Sequence, residues 1–261
     1  MRFGFGRNSA RLVCSCVSCS DIVSINIGQS LLYLDQIPKL SILRNHMKTI
    51  GLSGVARAGK DTFAAILIKQ LELKGKRVKR VALADPLKQF CDDFCRKNLG
   101  ISAFTQIADE KPLIRPMLVW FGDAKRKQTN GRFWVELADK SLKAAEIEGY
   151  DYAIITDVRY DHYEKDEAYW LKHEHGGVLV HVSQFSWNRP DTSKVSSVPL
   201  TRVFVPPAND HEMLNDPKVA KKADVRVEWE NVGKLSDVEM LAHPSLNKHV
   251  SDVVRDYILT N

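Results

Sequence analysis

The spacing of apolar positions changes repeatedly between two periods from about residue 47 onward. Short apolar runs predict β-strands, whereas apolar residues three and four positions apart predict amphipathic helices. The predicted strands are 48–53, 78–84, 152–156 and 178–182, with a late strand around 225–229. The predicted helices are 60–74, 86–99, 116–122, 133–147 and 165–173, followed by two short C-terminal helices; residues 183–210 are expected to be loop-rich. This alternation predicts an α/β fold in which helices flank a parallel sheet.

Residues 1–46 show neither period and lack helix caps. We expect them to be a disordered extension or a segment upstream of the true start at Met47, with a targeting or partner-binding segment as the lesser alternative. The cysteines at positions 14, 16 and 19 have no fourth zinc ligand at suitable spacing, which favours reduced thiols. Residues 47–261 are expected to form one domain.

The segment 54–62 reads Gly-Val-Ala-Arg-Ala-Gly-Lys-Asp-Thr and joins a predicted strand to a predicted helix. That context is typical of a P-loop, whose backbone N–H groups and helix N-terminus bind phosphates. Lys60 would add a positive charge to the β- and γ-phosphates of ATP. A glycine-rich turn that merely caps a helix is the alternative. The predicted ATP-binding residues are Gly54, Arg57, Ala58, Gly59, Lys60, Asp61 and Thr62.

A Mg²⁺ site is predicted beside this loop. The hydroxyl that usually follows the lysine is replaced by Asp61, and Thr62 comes next. Either side chain offers oxygen to Mg²⁺, directly or through water. Asp157 ends the apolar strand 152–156, where a Walker-B-type carboxylate would hold the metal or its waters. A helix cap or a turn is the alternative role for Asp157.

Basic residues are expected to bind the acceptor and the transferred phosphate. Arg159 lies at the carboxyl end of a predicted parallel strand, which suits a substrate phosphate. Asp85 follows the second strand, where a helix N-cap is the alternative role. The predicted substrate-binding residues are Asp85, Lys88, Arg115 and Arg159. A helical basic lid is predicted at about 111–132, with a solvated charged face as the alternative; the predicted catalytic residues are Lys60, Arg159, Arg132 and Arg126.

Charge and hydropathy exclude two classes of protein. The net charge of +6 is mild and gives no dense basic stripe, so no nucleic-acid partner is expected. No apolar run approaches the roughly 20 residues that span a bilayer, so no membrane partner is expected. Small-molecule nucleotides are the expected partners, and a homodimer is left open.

Several motifs together resemble the bacteriophage deoxynucleoside monophosphate kinases. Residues 47–62, with their unusual Gly-Lys-Asp-Thr ending, resemble the start of that family, and 83–88 (Leu-Ala-Asp-Pro-Leu-Lys) resemble its acceptor motif. Residues 121–123 and 132–135 resemble its lid and following helix, and Asp157-Val158-Arg159 its Asp-x-Arg loop. The sequence departs from the family at 160–162 and keeps a late His/Glu motif only as Asp210-His211-Glu212.

The resemblance implies an adenylate-kinase-like P-loop fold. It also implies that ATP and Mg²⁺ are used to phosphorylate deoxynucleoside 5′-monophosphates to diphosphates, in the cytoplasm of an infected host cell. Another small-acceptor kinase of the dephospho-coenzyme-A kinase type is one alternative. A nucleotide-binding ATPase or switch module, which would hydrolyse ATP without an acceptor, is another.

Overall fold

One β-sheet organises the computed structural model, which describes residues 46–188 and 200–259. The expectations for residues 1–45 therefore lie outside the described residues. The strands are β1 (Lys48–Ser53), β2 (Val78–Val81), β3 (Tyr152–Ile155), β4 (Val178–Asn188), β5 (Thr201–Phe204) and β6 (Val225–Glu230).

The sheet is mostly parallel, and β1 lies near its centre. The strand order is β2-β3-β1-β4, and β6 pairs with β4 in parallel. The last residues of β4, from Phe185 to Asn188, pair with β5 in antiparallel register. The sheet is therefore mixed rather than purely parallel, because the strand predicted at 178–182 continues to Asn188 and supplies an extra edge for β5.

Helices cover both faces of this sheet. They are α1 (Lys60–Leu73), α2 (Ala84–Leu99), α3 (Lys111–Gln128), α4 (Arg132–Ile147), α5 (Glu167–Tyr169), α6 (Asp210–Lys222), α7 (Asp237–Ala242) and α8 (Pro244–Val253). A π-helical turn, Trp170–Glu174, continues α5, and another, Val254–Ile258, continues α8. Among the described helices, none combines the length and the apolar composition that crossing a bilayer requires.

Alternate residues of the central strands contribute to two separate hydrophobic cores. Ile50 and Ile154 pack with apolar residues of α1 and α8 on one face. Ala153 and Ile155 pack with residues of α4 and with Val219 of α6 on the other. Successive strand residues point to opposite faces, so strands buried on both sides read as continuous apolar runs. The α/β class predicted from those runs is confirmed.

Two segments are more regular than the sequence predicted. The short helix predicted at 116–122 is the middle of α3, and the basic residues 125–127 lie in its last turn rather than between helices. The supposedly loop-rich residues 183–210 include the end of β4 and all of β5, and α6 follows. Pro116 explains the first difference, because it lies inside α3, where it removes one backbone hydrogen bond but keeps a helical φ.

Three boundaries also differ from the prediction. The second strand ends at Val81 rather than at residue 84, and α2 begins at Ala84. Asp85 is therefore in the first turn of α2, and Leu83 occupies the N-cap position that was predicted for it. The helix predicted at 165–173 is the three-residue α5 with its π-helical continuation, because a buried Asp166 caps it.

Candidate functional site

The glycine loop, residues 54–59, joins the end of β1 to the start of α1. Gly54 and Gly59 both have positive φ values, 133° and 88°. A Cβ on Gly54 would lie 2.2 Å from the carbonyl oxygen of Val182, and one on Gly59 would lie 2.5 Å from the Trp229 ring. The Trp229 Nε1–H also donates to the Ala58 carbonyl at 3.0 Å. Strands β4 and β6 thus hold the loop in one conformation that requires glycine at both positions.

Lys60, the first residue of α1, folds back over the glycine loop. Its Nζ donates to the carbonyl oxygens of Gly54 and Val55, at 2.7 Å in each case. Only 8% of the residue is exposed. Burial lowers the pKa of Lys60, and the positive charge of Arg159 lowers it further. The predicted phosphate-binding lysine therefore lies against the loop, where its ammonium is largely desolvated.

The two residues after Lys60 lie apart from the cleft that borders the loop. Asp61 is exposed, and its Oδ1 accepts a hydrogen bond from Arg80 of β2 at 3.0 Å. Thr62 is half-buried on the next position of α1. Within residues 46–188 and 200–259, no three His, Cys, Asp or Glu side chains converge as a metal-ligand group. Mg²⁺ bound to a nucleotide does not need such a group, since it retains waters and phosphate oxygens as ligands.

Asp157, two residues after the end of β3, binds the N-terminus of α2. Its Oδ1 accepts from the Leu83 N–H at 2.7 Å, and its Oδ2 accepts from the Ala84 N–H at 2.9 Å. The carboxylate thereby caps a helix to which it is not joined in sequence. This geometry matches the capping alternative, and it also fixes the end of β3 against α2. Asp157 lines the adjacent cleft as well.

Arg159 extends from the same loop toward the glycine loop and α6. Its side chain is 49% exposed, and its Nη1 lies 3.7 Å from Oε1 of Glu212 in the first turn of α6. The other carboxylate oxygen of Glu212 accepts from the Ala56 N–H of the glycine loop at 3.1 Å. Arg159, Glu212 and the glycine loop therefore meet at one place.

Arg126 of α3 is buried in an ionic cluster behind this place. Its Nη2 donates to both oxygens of Asp166, at 2.6 and 2.8 Å, and its Nη1 donates to Glu167 at 2.9 Å. The guanidinium carbon also lies 3.6 Å from the centre of the Tyr160 ring. Burial raises the pKa of Glu167 to about 7 and that of Tyr160 to about 12. Both groups are held in a desolvated environment.

The two carboxylates of this cluster also hold the loop that carries Arg159. Glu167 Oε2 accepts from the backbone N–H groups of Arg159 and Tyr160, and Asp166 caps α5 through the Glu167 N–H. Arg126 is thus the link between α3 and the loop after β3. It was predicted to be a lid arginine that contacts phosphate, and the structure places its guanidinium in these buried ion pairs.

Arg132, the other predicted lid arginine, starts α4 and faces a different partner. Its Nη1 and Nη2 donate to the two carboxylate oxygens of Glu174, at 2.7 and 3.0 Å, and Nη1 also reaches the Lys165 carbonyl. Arg132 is absent from the described lining of the cleft. The structure therefore does not bring Arg132 together with Arg159 in the cleft.

A cleft of about 360 Å³ opens beside the glycine loop. Ala56 borders it, and the other lining residues belong to α2 and its N-cap, residues 103–106, α3, α4, the loop after β3, α5 and the start of α6. Leu87, Ile114 and Leu118 form an apolar part of the lining. The cleft thus runs from the glycine loop to the space between α2 and α3.

Three of the four predicted substrate-binding residues line this cleft. They are Lys88, Arg115 and Arg159. Lys88 also lies 3.4 Å from Asp85, which is outside the lining, and 5.5 Å from the centre of the Phe104 ring. Arg115 is exposed on α3. Positive side chains predicted from separate segments thus share one cavity.

Some lining residues were missed by the sequence analysis. Asp123, which lies 3.5 Å from His211, and Lys111 both lie on α3, and Tyr160 follows Arg159. Glu212 was noted only as part of a motif, without a role. Local spacing gives no signal for these contacts. Helix α6, which carries Glu212, was not predicted, and Arg126 is 40 positions from its partner Asp166.

No protein-family model matches the chain, and no similar sequence is found among curated proteins.

Proposed function

We propose that this protein transfers the terminal phosphate of ATP to a deoxynucleoside 5′-monophosphate, on an adenylate-kinase-like P-loop fold. The observation that carries the proposal is the glycine loop with Lys60, held between β1 and α1; Ala56 of this loop borders a cleft that Lys88, Arg115 and Arg159 also line. Loops of this kind bind nucleotide phosphates through backbone N–H groups, the helix N-terminus and the lysine.

The position of the cleft in the sheet supports a nucleotide site. The chain passes from β1 toward β2 on one side and later from β3 to β4 on the other. The helix after β1 belongs to one core, and the helices after β3 and β4 belong to the other. In open α/β sheets, ligands bind outside the carboxyl ends of strands at such a change of direction.

The lining of the cleft suits a nucleoside monophosphate as acceptor. A volume of about 360 Å³ is in the range of small-ligand pockets. The apolar surface of Leu87, Ile114 and Leu118 would contact the base or sugar. Lys88, Arg115 and Arg159 would bind the phosphate, with Arg159 nearest to the glycine loop.

The chemistry requires positioning and positive charge rather than a general base. An anionic oxygen of the acceptor phosphate attacks the γ-phosphorus of ATP and forms a new P–O bond. The bond from the γ-phosphorus to the bridging oxygen of the β-phosphate breaks, and ADP leaves. Lys60 would stabilise the charge on the transferring group, and Arg159 would align the acceptor.

Mg²⁺, when bound with ATP, neutralises charge on the β- and γ-phosphates. The oxygen donors near the loop suit this hard cation. Each Asp157 oxygen accepts one backbone N–H and keeps further acceptor capacity toward the cleft. Asp157 would therefore hold Mg²⁺ or its waters, whereas Asp61, which is bound to Arg80, and Thr62 lie apart from the cleft.

The proposal is tested by measuring ADP formation from ATP and Mg²⁺ in the presence and absence of each deoxynucleoside monophosphate. We expect ADP to form only with an acceptor, together with an equal amount of the deoxynucleoside diphosphate, which chromatography detects. Ribonucleoside monophosphates and dephospho-coenzyme A serve as comparison acceptors.

The other outcomes separate the alternatives. Turnover with dephospho-coenzyme A alone would assign the protein to that kinase type. ATP hydrolysis that does not depend on an acceptor would favour an ATPase or switch module. A folded protein that forms no ADP with any acceptor would contradict both kinase assignments.

A further inference from the structure

The carboxylate of Glu212 occupies a position that is built for an anion. Oε2 accepts from the Ala56 N–H at 3.1 Å and from the Ala208 N–H at 2.9 Å, while Oε1 lies 3.7 Å from Arg159 Nη1. The side chain is only 12% exposed. Glu212 is also one of the negative charges that act on Lys60.

Helix capping explains only part of this arrangement. Asn209 caps α6 by accepting from the Glu212 N–H, and a glutamate at this third helical position commonly reaches back to the preceding backbone. The bond to Ala208 is a local contact of this kind, one residue before the N-cap. The bond to Ala56 and the approach to Arg159 do not, because the first joins α6 to a loop 156 positions away and the second joins α6 to the loop after β3.

Those additional partners are the groups that bind a phosphate. Backbone N–H groups of a glycine loop, a guanidinium and a nearby ammonium are the usual donors to phosphate oxygens. Asp216, one turn further along α6, is bound to His181 instead, at 3.2 Å. Within the described residues, Glu212 is therefore the carboxylate that meets both the glycine loop and Arg159.

We propose that Glu212 fills a phosphate subsite formed by Ala56 and Arg159, and that a phosphate group of the ligand displaces it on binding. This inference rests on the proposed function only for the identity of the ligand as a nucleotide. Two anions would compete for these donors, because like charges at such a short separation repel each other. Glu212 thus lowers the affinity of the site for phosphate and selects ligands able to compete with it.

Titration calorimetry with inorganic pyrophosphate tests the subsite without any catalytic activity. Glu212→Gln keeps the size and an acceptor oxygen but removes the charge, and it should bind pyrophosphate about tenfold more tightly than the wild-type protein. Asp210→Asn is the matched control, since it removes one charge from the same first turn of α6 at an exposed position. The control should bind as the wild type does.

Hydrogen exchange on the wild-type protein tests the displacement without relying on a variant. Pyrophosphate should speed exchange at the Ala208 amide, which loses its acceptor, and should leave the Ala56 amide protected by the phosphate. Unchanged exchange at Ala208 with pyrophosphate bound, weaker or equal binding by Glu212→Gln, or no binding by either protein would overturn the inference. If these results are as expected but no kinase activity is found, the subsite stands and the proposed function fails.

Discussion

Lys60 combines two properties that are rarely found together on a protein surface. Its ammonium is desolvated, yet its hydrogen-bond partners are neutral carbonyl oxygens of the glycine loop rather than a carboxylate. Desolvation strengthens the attraction of the ammonium for a phosphate, because fewer water molecules screen it. A lysine held in this way is suited to an incoming anion.

We therefore predict that Lys60→Ala lowers acceptor-dependent ADP formation by about 100-fold or more, the usual cost of losing one preorganised donor to a developing charge. Lys69→Ala is the control, since Lys69 is exposed on the same helix. Steady-state kinetics on both variants, with circular dichroism to verify folding, gives the result. Near-normal turnover by a folded Lys60→Ala protein would contradict the role of the glycine loop.

Among the secondary-structure elements, the contact between α3 and the start of α5 controls the position of the Arg159 loop. Arg126 places one guanidinium against two buried carboxylates, which themselves hold the backbone of that loop. Removing one partner from a buried ion pair leaves the opposite charge desolvated. The cluster therefore fixes the backbone that carries Arg159.

Arg126→Met should lower the free energy of unfolding by about 3–5 kcal/mol, because Asp166 and Glu167 would remain buried without their cation. Lys127→Met, at the exposed neighbouring position of α3, should change it by less than about 0.5 kcal/mol. Urea denaturation measures both values. Equal stability of the two variants would show that Arg126 does not support the fold.

The contact of β6 with the glycine loop also fixes the geometry of the site. Trp229 both donates to Ala58 and fills the space beside Gly59, and its ring lies 5.9 Å from that of Phe63. The loop before α1 is thus positioned by a strand near the other end of the chain. This coupling makes the conformation of the glycine loop, and hence the proposed nucleotide site, dependent on β6.

Trp229→Phe keeps an aromatic ring but loses the donor to Ala58. We expect about 1 kcal/mol less stability, the typical net contribution of one hydrogen bond, together with weaker ATP binding. Trp120→Phe is the control, because Trp120 is 69% exposed on α3. Calorimetric titration with ATP and urea denaturation test the prediction, and unaltered ATP affinity in Trp229→Phe would argue against this positioning role.

For the whole molecule, the proposed ligands should stabilise the folded state. The cleft is bordered by the glycine loop, α2, α3 and α6; α2 and α3 pack against each other, and α6 packs on one face of the sheet. A ligand that bridges these elements favours the native state over the unfolded chain in proportion to its affinity.

A ligand present at about 100 times its dissociation constant adds about 2.7 kcal/mol, which should raise the melting temperature by about 5–10 °C. We expect this shift with ATP and Mg²⁺, and a larger one when a non-hydrolysable ATP analogue and a deoxynucleoside monophosphate are present together. Differential scanning calorimetry measures it, with Lys60→Ala as a weakened comparison. Absence of any shift at saturating concentrations would contradict nucleotide binding.

Local patterns in the sequence determined the class of the fold and the position of the candidate site. The continuous apolar runs at β1, β3 and β4 followed from burial on both faces, and the glycines at 54 and 59 indicated a special loop between strand and helix. These features depend on neighbours a few residues apart, so composition and spacing are sufficient to predict them.

Tertiary structure alone decided which charged side chains meet. Arg126 looked like a lid residue until its partners, 40 and 41 positions away, placed it in a buried cluster. Glu212 had no assigned role until α6 brought it to Ala56, across 156 positions. Asp157 was predicted to hold Mg²⁺ or to cap a helix, and its bonds to the start of α2 show the capping role. Ion pairs and caps between distant segments leave no period in a sequence, because their geometry arises only when helices pack on a completed sheet.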